Sequence, residues 1–195
     1  NVKIKIGGIV VMISRYEVKS LAKDQLKGNW VIAIIIFLIY LVLMCSSLSR
    51  LLLGGLVSVG ICTFTMNLAK NKKARINDLF SNFNIYLKTL GLYLLMLLIV
   101  GIGYILFIIP GIILTLMLSQ SLYILNDDNE KTITQCIKES ANLMKGHKWE
   151  FFVLQLSFIG WGLLVVLTFG IAALWVQPYM WVTNANYYIK LKEAK

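Results

Sequence analysis

Between Lys88 and Asp127 the chain carries no charged side chain, and between Glu150 and Lys190 it again carries none. A helix needs about 20 apolar residues to cross the hydrocarbon core of a bilayer, so each run has room for two crossings. Residues 30–49 and 51–69 supply two more, divided by Arg50. The expected fold class is therefore all-α: a polytopic membrane protein with six transmembrane helices, near 29–49, 51–69, 89–109, 111–126, 149–169 and 171–189. Tight turns are expected at Ser49–Arg50, at Pro110–Gly111 and near Gly170. Composition agrees, since 58% of the 195 residues are hydrophobic, against about 45–50% in soluble domains.

The net charge of +10 could signal a nucleic-acid partner. Its distribution says otherwise. With the N-terminus inside, the inner segments are 1–29, 70–88, 126–149 and 190–195, and they hold every Lys and Arg except Arg50. That is the positive-inside pattern, and it places both termini in the cytoplasm. No basic cluster interleaved with aromatics, of the kind a nucleic-acid surface needs, is present. Cys45, Cys62 and Cys136 show no metal-type spacing, and their odd number argues against a disulfide framework. The chain opens on Asn1, with residues 1–11 ahead of Met12. Met12 is expected to be the natural start, with residues 1–11 an upstream extension and Gly7–Gly8 a translated ribosome-binding sequence. Residues 12–195 then form a single membrane domain.

Two phrases echo each other. "LKGNW" (26–30) and "MKGHKW" (144–149) each lead into an apolar run. Ser14 lies fourteen residues before Gly28 and Thr132 fourteen before Gly146. Glu17 and Gln135 follow three residues after those hydroxyls, as in a capping box, and glycine suits the helix exit. A third copy fits the same ruler, from Asn77 to Gly91, with Leu79, Phe80, Phe83, Tyr86, Leu87 and Leu90 at helical spacing. The expected unit is an amphipathic helix plus a two-span hairpin, used three times over about 14–69, 77–126 and 132–189. In the first such helix Arg15, Lys19, Lys23 and Lys27 recur every four residues, opposite Tyr16, Val18, Leu21, Ala22 and Leu26. A helix of this kind lies at a membrane surface with its cations toward anionic headgroups. The third helix sets Ile133, Cys136, Ile137, Ala141, Leu143 and Met144 against mixed charge.

Catalytic chemistry finds little support. No Asp, Glu, Lys, Arg or His is expected inside a span, where proton-coupled transport and intramembrane hydrolysis place them. His147 stands alone, with no nucleophile or metal partner in its pattern. The acidic run at residues 126–130 has oxygen ligands that suit a hard cation. It fits better as a turn feeding the Thr132 cap, since acids are favoured near a helix N-terminus. No catalytic, cofactor or metal residue is assigned. The in-span amides Gln120, Gln155, Gln177, Asn184 and Asn186 read first as interhelical hydrogen-bonding groups. Gln155, Gln177, Asn184 and Asn186, beside the helix-breaking Pro178, are the candidates for a polar path. Gly101 and Gly103, with Ser119 and Ser121, allow close helix contact. Trp149, Trp181, Tyr187 and Tyr188 read as belt residues at the inner interface.

The phrases "GYILFIIPGIIL" (103–114), "YILNDDNE" (123–130), "ESANLMKGHKWEFF" (139–152), "FIGW" (158–161) and "QPYMWVTNANYY" (177–188), with "LKGNW", carry a resemblance. The chain resembles, from about residue 12 to 192, the six-span family of Gram-positive bacteria catalogued as domain of unknown function nine-seven-five. The membrane part of certain glycerophosphodiester phosphodiesterases is similar in plan, but this chain has no room for their catalytic domain. The resemblance implies a bacterial plasma-membrane protein and supplies no catalytic residue.

The functional expectation is a non-enzymatic membrane protein that works through anionic lipids, a membrane-protein partner or a second copy of itself. A role accessory to export of, or immunity to, a membrane-active peptide fits this. One alternative is a small transporter or channel using the polar path. Another is a membrane enzyme acting on lipid headgroups through His147 and the run from Asp127 to Glu130.

Overall fold

A computed structural model describes residues 3–6, 9–12 and 14–194, with side chains from Ser14 onward. The Gly7–Gly8 pair lies outside the described residues. A short antiparallel ribbon, β1 (Lys3–Ile6) and β2 (Ile9–Met12), pairs Lys3 with Met12 and Ile6 with Ile9. Everything regular after it is helical. The α-helices are α1 (Arg15–Leu26), α2 (Trp30–Leu43), α3 (Ser47–Ala69), α4 (Tyr86–Leu106) and α5 (Ile108–Leu118). There follow α6 (Ser121–Asp127), α7 (Ile133–Leu143), α8 (Lys148–Leu156), α9 (Ile159–Leu167) and α10 (Ala173–Glu193).

Among the described residues four helical stretches are long and apolar enough to cross a membrane: Ser47–Ala69, Ile76–Leu106, Ile108–Asp127 and Lys148–Leu167. A fifth is added if α1 and α2, bent by 98°, count as one broken span. The charge pattern predicts six. Two local causes account for the difference. The first turn falls at residues 44–46 rather than Ser49–Arg50, which leaves α2 only 14 residues. At 1.5 Å per residue that is about 21 Å, short of a core of about 30 Å. And α10, though 21 residues long, carries Gln177, Asn184, Asn186, Lys190, Lys192 and Glu193.

The helix exits at Gly28 (φ +83°) and Gly146 (φ +88°) are left-handed, as their positions predict, and Gly170 (φ +90°) makes the turn before α10. The N-terminal caps divide. Thr132 and Gln135 form the full capping box on α7, with Thr132 N donating to Gln135 Oε1 at 2.7 Å. Ser14 caps α1 by position but makes no side-chain cap hydrogen bond. The third copy departs from the ruler. Residues 76–85 fold as two 3₁₀ turns, Asn77 lies inside the first of them, and Gly91 is interior to α4. Phe80, Phe83 and Leu87, read as the apolar face, are exposed, while Asn82 and Thr89 are buried.

The chain folds as two compact units. One comprises Asn1–Val42, Phe64–Ile76 and Glu150–Lys195; the other comprises Leu43–Thr63 and Asn77–Trp149. In the first unit α1 lies against α10, with Glu17 ion-paired to Lys190 and Gln25 bonded to Asn186. Val18, Ala22 and Leu26 are buried at four-residue spacing. Tyr16, expected on that face, is 83% exposed. Phe37 and Tyr40 of α2 meet the Trp181 ring edge-on, at 5.7 and 5.4 Å between centroids. Tyr187 and Tyr188, expected as interfacial belt residues, are instead core, each 1% exposed.

The second unit is built on close backbone approach. A Cβ at Gly55 of α3 would sit 2.8 Å from the Thr89 carbonyl oxygen, so only glycine lets α3 and α4 touch there. The α4–α5 turn is made by Phe107, which is extended (φ −163°, ψ +155°), and Pro110 lies in the first turn of α5, where its missing N–H costs nothing. Gly103 and Gly111 approach across this turn, whereas Gly101 has open space around it.

Candidate functional site

The basic stripe on α1 does not point uniformly at solvent. Arg15, Lys23 and Lys27 are exposed, and Lys19 is half-buried. The Lys19 ammonium sits 4.0 Å over the Phe158 ring and donates to the Ser157 carbonyl oxygen at 3.1 Å. That carbonyl is free because the helix breaks between α8 and α9, where Phe158 N bonds Gln155 O, three residues back. Burial, then the neighbouring Lys23 and Arg15 charges, hold the Lys19 ammonium below the usual lysine range. Lys23 lies 5.9 Å from the Tyr179 ring centre. Lys27 pairs with Asp24 at 2.7 Å.

These cations border a groove of about 350 Å³ lined by Lys23, Lys27, Trp30, Trp161, Trp175 and Tyr179, with Val176 as its buried floor. Tyr179 is the keystone. Phe158 and Trp161 contact its ring edge-on, at 5.5 and 6.1 Å. The arrangement joins positive charge to indole and phenol faces, a combination suited to an anionic group carrying an apolar body.

The polar-path residues are brought together only in part, and with a partner the pattern did not reveal. Gln155 Nε2 donates to Asn184 Oδ1 at 2.8 Å. Asn186 pairs reciprocally with Gln25 of α1: Asn186 Nδ2 donates to Gln25 Oε1 at 2.6 Å, and Gln25 Nε2 donates to Asn186 Oδ1 at 3.1 Å. Gln177 joins neither pair. Gln25 had a readable signal, because it falls seven residues after the buried Val18 and three after Ala22, on the inward side of α1. Glu150 was missed for another reason: at the end of a charged segment it looks solvated. In the fold it is 5% exposed, and the Tyr187 hydroxyl hydrogen-bonds its carboxylate. The expectation that no ionisable group lies within the 149–169 segment is therefore corrected at this one position.

The second unit holds its own polar knot. Asn82 Nδ2 donates to Thr63 Oγ1 at 2.7 Å, and Thr63 in turn hydrogen-bonds Asn126. The remaining members of the acidic run serve local structure. Asp128 accepts from Glu130 N at 3.1 Å and the Asn129 carbonyl accepts from Lys88 at 2.6 Å. Lys131 sits 2.7 Å from Glu139, whose hydrogen bond raises the Lys131 pKa. Burial pushes the Cys136 thiol up. Ser119 and Ser121 do not meet Gly101. Gln120 Nε2 donates instead to Ser119 Oγ at 2.8 Å, and Ser140 Oγ donates to the Met117 carbonyl oxygen at 2.7 Å. Among the described residues no group of three or more His, Cys, Asp or Glu is placed to hold a metal ion.

Residues 105–195 match the sequence model of the family described as "Protein of unknown function (DUF975)". No curated protein and no solved structure matches the chain. The matched stretch runs from the end of α4 through α10, and so contains Trp161, Trp175 and Tyr179 but not α1. Over these residues, just under half of the chain, the sequence is similar to that family, whose function is unknown.

Proposed function

We propose that this is a bacterial plasma-membrane protein that works without catalysis, through anionic lipids or a partner membrane protein. Its membrane part is three helical hairpins, six segments entering the bilayer, each hairpin introduced by a cytoplasmic helical element, with both termini inside. The observation that carries the reading is the basic face of α1 laid beside the aromatic rings of α9 and α10, with Lys23 and Lys27 exposed at its edge. Two apolar stretches add support. Only 17% of the most apolar window of Ile76–Leu106 and 22% of that of Lys148–Leu167 is buried within the protein, so the remainder needs lipid or another chain to cover it. A role accessory to export of, or immunity to, a membrane-active peptide fits a protein whose working surface is a membrane face. Reversing Arg15, Lys19, Lys23 and Lys27 to glutamate is expected to abolish association with anionic vesicles and the cellular phenotype of the intact gene. Survival of both would sink the reading. The transporter alternative is weaker, because three of the four amides proposed to line its path are engaged in amide pairs, Gln155 with Asn184 and Asn186 with Gln25.

A further inference from the structure

The groove has a charged mouth and an apolar exit. Trp161 lines it, and Leu164, three residues on and on the same side of α9, continues the surface. Leu163, Val166 and Leu167 elsewhere on α9 and Ile171 after it are exposed, and Phe169 is 98% exposed. Charge at the mouth can be counted. Lys19 is engaged by Phe158 and Ser157, and Glu17 by Lys190. The neutral ring and carbonyl cancel none of the Lys19 charge, and Lys23 and Lys27 stand against the single carboxylate of Asp24, so the mouth carries two positive charges in excess. A phosphodiester carries one negative charge. About 350 Å³ is a small-ligand volume; it accommodates a headgroup and leaves the acyl chains outside.

We propose that the groove binds one anionic phospholipid, its phosphate held by the Lys23 and Lys27 ammonium groups among Trp30, Trp161 and Trp175, and its acyl chain lying along α9. The proposal rests on the reading of the chain as a membrane protein acting through lipids or partners, and it names the ligand and the place. A zwitterionic lipid brings its own cation to a site that already has positive charge in excess. A free phosphate has no use for the apolar exit.

The test uses the purified full chain in phosphatidylcholine vesicles, with brominated phosphatidylglycerol or brominated phosphatidylcholine added at equal mole fraction. Bromine on the chain quenches nearby indoles, and three of the five tryptophans line the groove. Quenching by phosphatidylglycerol is expected to half-saturate at a mole fraction roughly five- to thirtyfold lower, the effect of one to two lysines at about 1 kcal/mol each. The paired change Lys23→Gln and Lys27→Gln removes that excess, and the pair Lys23→Arg and Lys27→Arg keeps it. Equal quenching by both lipids, or an excess that survives the glutamine pair, overturns the site and leaves the membrane reading standing. No quenching by either lipid overturns that reading as well. Loss of the excess on adding millimolar inorganic phosphate at constant ionic strength assigns the groove to a free anion and also overturns the proposal.

Discussion

Replacing Gln25 by alanine removes three hydrogen bonds that tie α1 to the rest of its unit. Its Nε2 donates to Asn186 Oδ1 and to the Ala69 carbonyl oxygen, each at 3.1 Å, and its Oε1 accepts from Asn186 Nδ2 at 2.6 Å. Such bonds contribute about 1 kcal/mol net apiece, but a buried group left without its partner costs about 1–3 kcal/mol. Asn186 is 5% exposed and keeps only its bond to the Val182 carbonyl oxygen, at 3.0 Å. The expected loss for Gln25→Ala is therefore about 2–4 kcal/mol. At roughly 2–4 °C per kcal/mol for a chain of this size, the melting temperature falls by about 5–15 °C. Asn186→Ala should cost a similar amount. The double variant should cost little more than either, giving a coupling energy on the order of 2 kcal/mol. Far-UV circular dichroism melts of the four proteins in one detergent close the cycle. Single effects that add to within about 0.5 kcal/mol, or a neutral Gln25→Ala, would refute the claim that this amide pair holds α1 in place.

Other expectations follow from single positions. Cys45 is exposed while Cys62 and Cys136 are buried, so a membrane-impermeant maleimide applied to intact cells should label one thiol per chain; labelling only after permeabilisation would reverse the proposed sidedness. Gly55→Ala drives a Cβ into the Thr89 carbonyl at 2.8 Å and should destabilise by about 1–3 kcal/mol. Gly101→Ala, with open space around it, should be neutral or gain up to about 1 kcal/mol of helix propensity; equal effects in thermal melts would contradict the packing. Thr132→Ala should cost about 1 kcal/mol through the lost capping box, whereas Ser14→Ala, which removes no cap hydrogen bond, should leave the melt unchanged.

What was legible in the sequence was whatever depended on local chemistry. The charge-free runs marked the apolar helices, positive-φ glycines marked the exits at 28, 146 and 170, and Thr132 with Gln135 marked a cap. The 77–91 copy failed because spacing counts residues and not neighbours. Asn82, which interrupts its apolar pattern, is pulled inward by Thr63, nineteen residues earlier, and the segment winds as 3₁₀ turns instead of one amphipathic helix. Tyr187 and Tyr188 were misplaced for the complementary reason: aromatic type suggests a membrane belt, yet the Phe151 ring at 5.0 Å and the Glu150 carboxylate give Tyr187 both an apolar and a polar partner inside the unit. The stripe on α1 was read correctly as a face and incompletely as a surface, since its walls come from residues more than 130 positions away.

That separation bears on how function is sought in α10. Five amides in apolar segments invite the idea of a hydrated path, because a polar side chain in such surroundings needs a partner. For three of the five the partner is another amide. Gln155 with Asn184, and Gln25 with Asn186, fasten α8 and α1 to the C-terminal half of α10, while Gln177, which joins neither pair, lies two residues from each of the groove residues Trp175 and Tyr179. The amides thus fix where α1 lies, and α1 fixes where Lys23 and Lys27 meet the rings of Trp161, Trp175 and Tyr179. If that order of cause holds, breaking the Gln25–Asn186 pair should weaken selective binding of an anionic lipid although neither amide lines the groove, and exchanging Gln155 and Asn184 for leucine should leave it in place as long as α1 stays docked.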